Sequence, residues 1–411
     1  MNGTAAETSP ELLQDAMITK ITDAGYTLSP RAEQALRAVD RHLFVPDATL
    51  EQAYENSIVV TKWSDDEQVL SCLSQPSIVA LQLGQLDVQL GHRVLEIGAG
   101  TGYNAAVLAY LAGPHGHVTA IDVDADIVEQ ARERLAAAGV GNVEVVLGDG
   151  ALGYGPGAPY DRIVATVGAW GIPEAWLAQL APTGRLVVPT RIRGSVSRSI
   201  AFERDEDGLW RSVDHKMCSF VPLRSGIADD PRRRIPLTAD NAVTLQLHQE
   251  HAINPAELMG VLTLPRFEAW TGVTFGPMQS LEWLYLRLAC VLDASLCSLF
   301  VDPAAVEAGL VKPMFRAYTM AVPGEGELAY LTWRRAGHTE NGGKIMEIGV
   351  IGHSAAGSAF ADHVAGEVRT WGEQQRIPTV QFEISPTGTH DPQAGKFVLD
   401  RPHHRLTAIW Q

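Results

Sequence analysis

Cysteine is scarce in this chain of 411 residues: there are four, Cys72, Cys218, Cys290 and Cys297, and no two form a CxxC pair. That spacing builds neither a zinc knuckle nor a disulfide framework, and it suits a reducing compartment. Long apolar runs are missing too. The most apolar stretch, residues 281–300, is broken by Glu282, Arg287 and Asp293, and residues 1–15 lack the basic start and apolar core of a secretory signal. No membrane span is expected, and the reading is cytoplasmic. Positive charge is in deficit, with 32 Lys and Arg against 48 Asp and Glu for a net charge of −16. Such an excess repels a polyphosphate backbone, so nucleic acid is not an expected partner. Internal repeats and low-complexity segments are likewise absent. What remains, 46% hydrophobic and 19% charged residues, is the composition of a globular enzyme of two or three domains.

Short apolar runs at residues 94–97, 118–121, 143–147, 162–166 and 186–189 alternate with helical patterns, which predicts a doubly wound parallel sheet. Between the second and third runs, Asp124 is placed to cap a helix whose Ile127, Ala131 and Leu135 recur at helical spacing, and Gly139 stands where its end favours a left-handed residue. Upstream, Gly25 and Pro30 divide residues 16–39 into two short helices. Past Leu223 come Asp229, Asp230, Pro231 and then Arg232, Arg233 and Arg234, which read as a solvated junction and place a domain boundary near Gly226. The expected domains are 1–226, whose helical N-terminal part covers about 10–60, and 227–411. The second reads as α+β: a helix at 278–292, a hairpin of 315–322 with 327–333, a strand at 344–351, a helix at 355–371, and strands at 380–384, 397–399 and 406–410.

The sharpest local pattern is Val94-Leu95-Glu96-Ile97-Gly98-Ala99-Gly100-Thr101-Gly102-Tyr103, a strand entering a glycine loop that opens a helix. A dinucleotide fingerprint would carry its third glycine at Tyr103, and here it comes one residue early, at Gly102. Glu96 at the strand's end also suits a ligand bearing an ammonium group better than one bearing phosphates. The next strand ends in Asp122, where a carboxylate can accept ribose hydroxyls, and the third ends in Gly148-Asp149-Gly150, where Asp149 can meet an adenine amino group. Three acidic residues ending three successive strands define one crevice, and the ligand that matches is S-adenosylmethionine.

Beyond the loop, Arg41-His42-Leu43-Phe44-Val45-Pro46, Ala53-Tyr54-Glu55-Asn56, Ser74-Gln75-Pro76, Tyr160-Asp161-Arg162-Ile163 and Phe220-Val221-Pro222-Leu223 stand in fixed order. Over about residues 30–225 the chain thereby resembles the protein L-isoaspartyl O-methyltransferases. The resemblance implies a Rossmann-like methyltransferase sheet and methyl transfer from S-adenosylmethionine to a peptide carboxylate. It places Ser74 on the family's active-site serine and Glu96, Gly98, Gly100, Asp122 and Asp149 on its cofactor positions; Gly102 and Gly150 complete the expected set. Two features depart from the repair enzymes: residues 61–73 replace a glycine-rich approach to the serine, and the chain continues through 224–411. Both resemble the C-terminally extended methyltransferases that accompany ribosomally synthesised, modified peptides of the lanthipeptide, lasso peptide and graspetide kinds. The resemblance then implies that an Asp of a macrocyclised precursor is esterified and closes to an aspartimide, with the second domain recognising the peptide. The alternative is repair of isoaspartyl residues in damaged proteins.

A carboxylate is ionised at neutral pH, with an ordinary pKa of about 4, so the site has to orient the acceptor and needs no base. Ser74 fits as the orienting donor, with Thr166 at the end of the fourth strand as its helper. Other features receive plainer readings. Gly352-His353-Ser354-Ala355-Ala356-Gly357 misses the nucleophile-elbow spacing by one residue and reads as a strand-to-helix connection. His248 with His251, and His403 with His404, lack supporting ligands, so no metal is expected. Trp170 reads as core or as a residue facing the substrate.

Overall fold

A computed structural model describes residues 9–65, 67–224, 232–374, 379–387 and 395–410. The chain forms two compact units: Met1–Thr190, Arg198–Asp229 and Gln381–Ile409 make the first, and Arg191–Ser197, Asp230–Val380 and Trp410–Gln411 the second. The boundary read near Gly226 lies outside the described residues.

In the first unit α1 (Pro10–Asp23) and α2 (Pro30–Ala38) each begin with a serine N-cap followed by proline, a pairing that satisfies one orphan N–H and dispenses with another. A short α3 (Leu50–Tyr54) leads to an antiparallel hairpin of β1 (Val59–Trp63) and β2 (Val69–Leu73), then α4 (Pro76–Leu86). The alternating region follows as β3 (Arg93–Ile97), α5 (Tyr103–Ala112), β4 (His117–Asp122), α6 (Ala125–Ala137), β5 (Val143–Leu147), β6 (Tyr160–Ala165), α7 (Glu174–Gln179) and β7 (Leu180–Arg193), with β8 (Val196–Arg204) and β9 (Trp210–Met217) closing it. Strands β3, β4, β5, β6 and β7 pair in parallel in the order β7-β6-β3-β4-β5. Helices cover them: Val94, Val118, Val145, Val164 and Val187 share one core with residues of α1, α2, α4, α5 and α6, and only the edge strand β5 leaves an apolar residue, Leu147, largely exposed. Gly139 takes φ +71° at the end of α6, as the sequence predicts. Asp124 occupies the N-cap of α6 but makes no capping bond, because ion pairs described below engage its carboxylate.

The second unit is built on a seven-stranded antiparallel sheet. Its elements are β10 (Arg232–Pro236), β11 (Val243–His248), α8 (Pro255–Leu258), β12 (Arg266–Phe275), α9 (Glu282–Val291), β13 (Cys297–Val301), α10 (Pro303–Glu307), β14 (Tyr318–Pro323), β15 (Leu328–His338), β16 (Lys344–His353) and α11 (Ala359–Gln374), with strand order β10-β11-β13-β14-β15-β16-β12. Alternate residues go to opposite faces. Ala329, Leu331, Ile348 and Val350 join Leu284, Leu288, Val364 and Val368 of α9 and α11, while Leu328, Tyr330 and Ile351 join Leu258 and Ala305 of α8 and α10. The arginine run is not a linker: Arg232, Arg233 and Arg234 lie in β10 at the sheet edge, paired with β11, where only Ile235 has to be buried. Ser354 follows β16, is buried, and accepts the Ala356 N–H in the connection to α11.

The closing strands β17 (Val380–Ser385), β18 (Lys396–Asp400) and β19 (Arg405–Trp410) differ most from the chain-order reading. They extend the first sheet to β18-β19-β17-β9-β8-β7-β6-β3-β4-β5, with β17 antiparallel to β9. An edge left open at β9 finds its partner in the end of the chain. Among the described residues no helix is long and apolar enough to cross a membrane.

Candidate active site

The parallel half reverses direction at β3, which has β4 on one side and β6 on the other, so the crevice expected of this topology opens at the carboxyl ends of β3 and β6. The glycine loop leaves β3 there, held by the Gly98 and Ala99 N–H groups donating to Ile121 O (2.8 and 3.1 Å). Gly98 has φ +97°, and a Cβ on it would stand 2.8 Å from Thr166 Oγ1 and 2.9 Å from Val167 Cγ1. Gly102, at φ +86°, brings the start of α5 so near α6 that a Cβ would stand 3.3 Å from Ala131 O and Leu135 Cγ. Gly150 lies against Ile97, whose Cγ2 would be 2.6 Å from its Cβ. Gly98→Ala is therefore expected to weaken cofactor binding at least tenfold through strain of about 1–3 kcal/mol. Calorimetric titration measures this, with Gly84→Ala, whose Cβ meets nothing within 4 Å, as the unaffected control.

Glu96 is fully buried. Its Oε1 accepts from Asn104 Nδ2 at 2.7 Å, while Oε2 is buried without a hydrogen-bond partner among the described residues. Burial pushes its pKa up to about 8, against the Asn104 hydrogen bond and with help from the Asp122 charge. Asp122 Oδ2 accepts the Gly100 N–H at 3.1 Å and Oδ1 the Asp124 N–H at 3.3 Å; burial raises its pKa, opposed chiefly by Gly100. Asp149 Oδ1 accepts the Ala151 N–H at 2.8 Å, so part of the bonding expected to reach a nucleobase holds the turn at Gly150–Leu152 instead. The residues present fit S-adenosylmethionine: a buried carboxyl oxygen awaits a cation, and side-chain-free backbone lies beside it.

Ser74 joins β2 to α4. Arg162 Nε donates to Leu86 O at 2.7 Å and Gln82 Nε2 to Ala165 O at 2.9 Å, so α4 runs antiparallel to β6 and carries Ser74 beyond the carboxyl edge of that strand. Among the described residues nothing hydrogen-bonds the Ser74 hydroxyl, which leaves it free to donate. Thr166 behaves differently from the helper role expected of it. Its single proton is directed at Gly98 O (2.7 Å) and Ile97 O (3.0 Å), so it holds the glycine loop.

Three residues escaped the sequence reading of the site. Arg41 is fully buried; its Nε donates to Ala53 O at 2.6 Å, its Nη2 donates to Ser74 O, and its guanidinium lies 4.9 Å from the centre of the Tyr103 ring. It thus ties the serine turn to the helix that follows the glycine loop. Lys62 of β1 reaches Asp124 (3.0 Å) and Asp126 (2.8 Å), and Arg224 reaches Asp124 at 2.7 Å, fastening two further segments to the start of α6. Arg224, first, and Lys62 hold the Asp124 carboxyl below its ordinary pKa. Arg41 sits in a quoted motif, yet only the fold shows what it touches. Lys62 and Arg224 are distant in sequence from the aspartate they share.

The family model for protein-L-isoaspartate(D-aspartate) O-methyltransferase matches residues 12–228. A protein-L-isoaspartate O-methyltransferase from Methanopyrus kandleri is 38% identical over 211 residues, covering 51% of this chain and 90% of its own. Protein-L-isoaspartate O-methyltransferase 2 from Archaeoglobus fulgidus is 40% identical over 197 residues, covering 48% and 86%. A solved structure of a protein-L-isoaspartate O-methyltransferase shares 23% identity at a TM-score of 0.47, over 82% of this chain and 87% of that one. With the glycine loop, the buried acid and the free serine standing at one sheet edge, the chain belongs to the protein-L-isoaspartate(D-aspartate) O-methyltransferase family and is an S-adenosylmethionine-dependent protein carboxyl O-methyltransferase.

Proposed function

We propose that the enzyme, working in the cytoplasm, esterifies the side-group carboxylate of an isoaspartyl residue in a peptide, and that the ester closes to a succinimide. The observation that carries this reading is the Ser74 hydroxyl, unpartnered among the described residues, beyond the edge of β6 in a turn that Arg41 ties to Tyr103 at the end of the glycine loop. When bound, S-adenosylmethionine supplies a methyl group on a sulfonium, which a carboxylate oxygen takes up as the carbon–sulfur bond breaks. Glu96 receives the cofactor's ammonium group, and Asp122 and Asp149 its ribose and adenine. Gly98, Gly100, Gly102 and Gly150 keep the backbone open to it. Ser74 donates its hydroxyl proton to one acceptor oxygen and leaves the other to react, a gain that comes from orientation. Once the ester exists, the next backbone nitrogen attacks its carbonyl carbon; the amide proton and the methoxide depart together as methanol, closing a five-membered imide.

Ser74→Ala is expected to lower kcat/KM for the peptide about 10–100-fold, the loss of one hydrogen bond to a charged group, with cofactor affinity unchanged. Mass spectrometry of a synthetic isoaspartyl peptide follows the methyl ester and then the loss of methanol. Equal turnover by the alanine variant would remove Ser74 from the mechanism.

A second reading draws support from the β1–β2 hairpin, whose Trp63 is exposed, and from a second unit that lies mostly beyond the family match. In it the acceptor is an Asp of a macrocyclised precursor peptide, the ring preserves the imide, and the second unit recognises the peptide. Methylation of a cyclised Asp peptide in preference to linear isoaspartyl peptides distinguishes it.

A further inference from the structure

The end of the chain reaches the acceptor side of the crevice. In the order β7-β6-β3-β4-β5, Asp122 ends β4 and Asp149 follows β5, so the adenosine half of the cofactor takes the β4–β5 side. The acceptor is left the β3–β6 side, where Ser74 stands and where residues 166–173 leave β6. That loop starts with Thr166 on the glycine loop, is fastened at Gly168 to Val221 and Leu223 (2.7 and 2.8 Å), and is fastened at Ala169 to Pro189 O (2.8 Å). The next contacts come from far along the sequence. The Arg401 guanidinium lies 4.3 Å from the centre of the Trp170 ring, and His404 Nδ1 donates to Ile172 O at 2.9 Å. Both residues belong to the four-residue turn joining β18 to β19. The turn is closed by Arg401 N–H donating to His404 O at 2.9 Å and by Arg405 pairing with Asp400 at 2.7 Å. A closed turn gripping one loop at a ring and a carbonyl determines where that loop can stand.

We propose that Arg401 and His404 are positioning residues for the acceptor: through Trp170 and Ile172 they set the wall against which the peptide carboxylate is aligned. This rests on the carboxyl-transfer reading with the acceptor on the β3–β6 side. It separates residues 396–409 from the rest of the extension, because their effect falls on acceptor fit within the catalytic unit.

The test uses the full chain, S-adenosylmethionine, and two acceptors: a linear isoaspartyl peptide and a cyclised Asp peptide. R401Q combined with H404L removes both grips; R401K keeps a cation over the ring, and H404N keeps a donor for Ile172 O. The double variant is expected to raise KM about tenfold for whichever acceptor the parent methylates. Cofactor affinity by calorimetry should be unchanged, and H404N should recover most of the KM that H404L alone loses. Should the double variant not fold, R401K against R401Q makes the same comparison. A parent-like KM in a folded variant lacking either grip overturns the proposal, as does a cofactor affinity that falls in step with KM. A parent that binds cofactor but methylates neither peptide overturns the carboxyl-transfer reading and this proposal with it.

Discussion

Glu96→Gln is expected to weaken S-adenosylmethionine binding about a hundredfold while raising the melting temperature of the cofactor-free protein. Both effects come from one carboxyl group. Glu96 is buried with one oxygen unpartnered among the described residues, and burial raises its pKa to about 8 against an ordinary 4.5. The folded state therefore holds a proton that the unfolded chain gives up. The stability this contributes is complete below about pH 4.5 and is lost as the pH rises through about 8. Glutamine never ionises and its carbonyl can still accept from Asn104, so the variant's advantage in melting temperature should widen from pH 5 to pH 9. An arriving ammonium group needs the ionised form. Parent affinity should rise about tenfold per pH unit below about 8 and then level off, with a proton released on binding in the lower range. The hundredfold loss corresponds to about 3 kcal/mol, the scale of a charge-assisted hydrogen bond in a dry site. Calorimetry in two buffers of different ionisation enthalpy measures affinity and proton release together. A pH-independent parent affinity would take the ammonium away from Glu96.

The parallel half was legible because its signals are local. Strands β3 and β4 carry buried apolar runs, the glycines stand in one short stretch between β3 and α5, and Glu96 and Asp122 end consecutive strands. What was not legible depends on distant partners. Phe382 N–H donates to Ser212 Oγ across 170 positions of sequence, and nothing within residues 380–410 announces that their strands complete the sheet of the first unit. Arg232–Arg234 resemble a solvated junction because an edge strand exposes most of its side chains; the single buried Ile235 is too weak a periodic signal to reveal it. Asp124 has the residue type and place of a helix cap, but Lys62 and Arg224 compete for the same carboxylate and two charges outweigh one neutral N–H. Thr166 stands where the sequence places it, and its proton is engaged by the loop it was expected to work beside.

Arg41→Leu should destabilise the protein by about 3–5 kcal/mol, and the reason separates this residue from an ordinary core position. The guanidinium is wholly buried and answers two carbonyls, Ala53 O and Ser74 O, that leucine would leave without donors. Arg41 also bears on Tyr103, the first residue of α5, so it links the turn carrying the acceptor-orienting serine to the helix that starts at the cofactor loop. Lysine keeps a charge but reaches only one carbonyl at a time and lacks the planar fork, so Arg41→Lys should fold and lose roughly half as much stability. In that folded variant kcat for the peptide should fall about tenfold, because the serine turn is loosened by about one hydrogen bond to a charged group. Its cofactor affinity should stay within about twofold of the parent's, since Glu96 and Asp122 do not depend on Arg41 for any hydrogen bond. Urea denaturation gives the stabilities, and steady-state kinetics with each substrate varied in turn separates the two sites. A loss of stability with kcat unmoved would reduce Arg41 to a core residue, whereas a fall in kcat confined to the peptide side would show that the buried arginine aligns the serine.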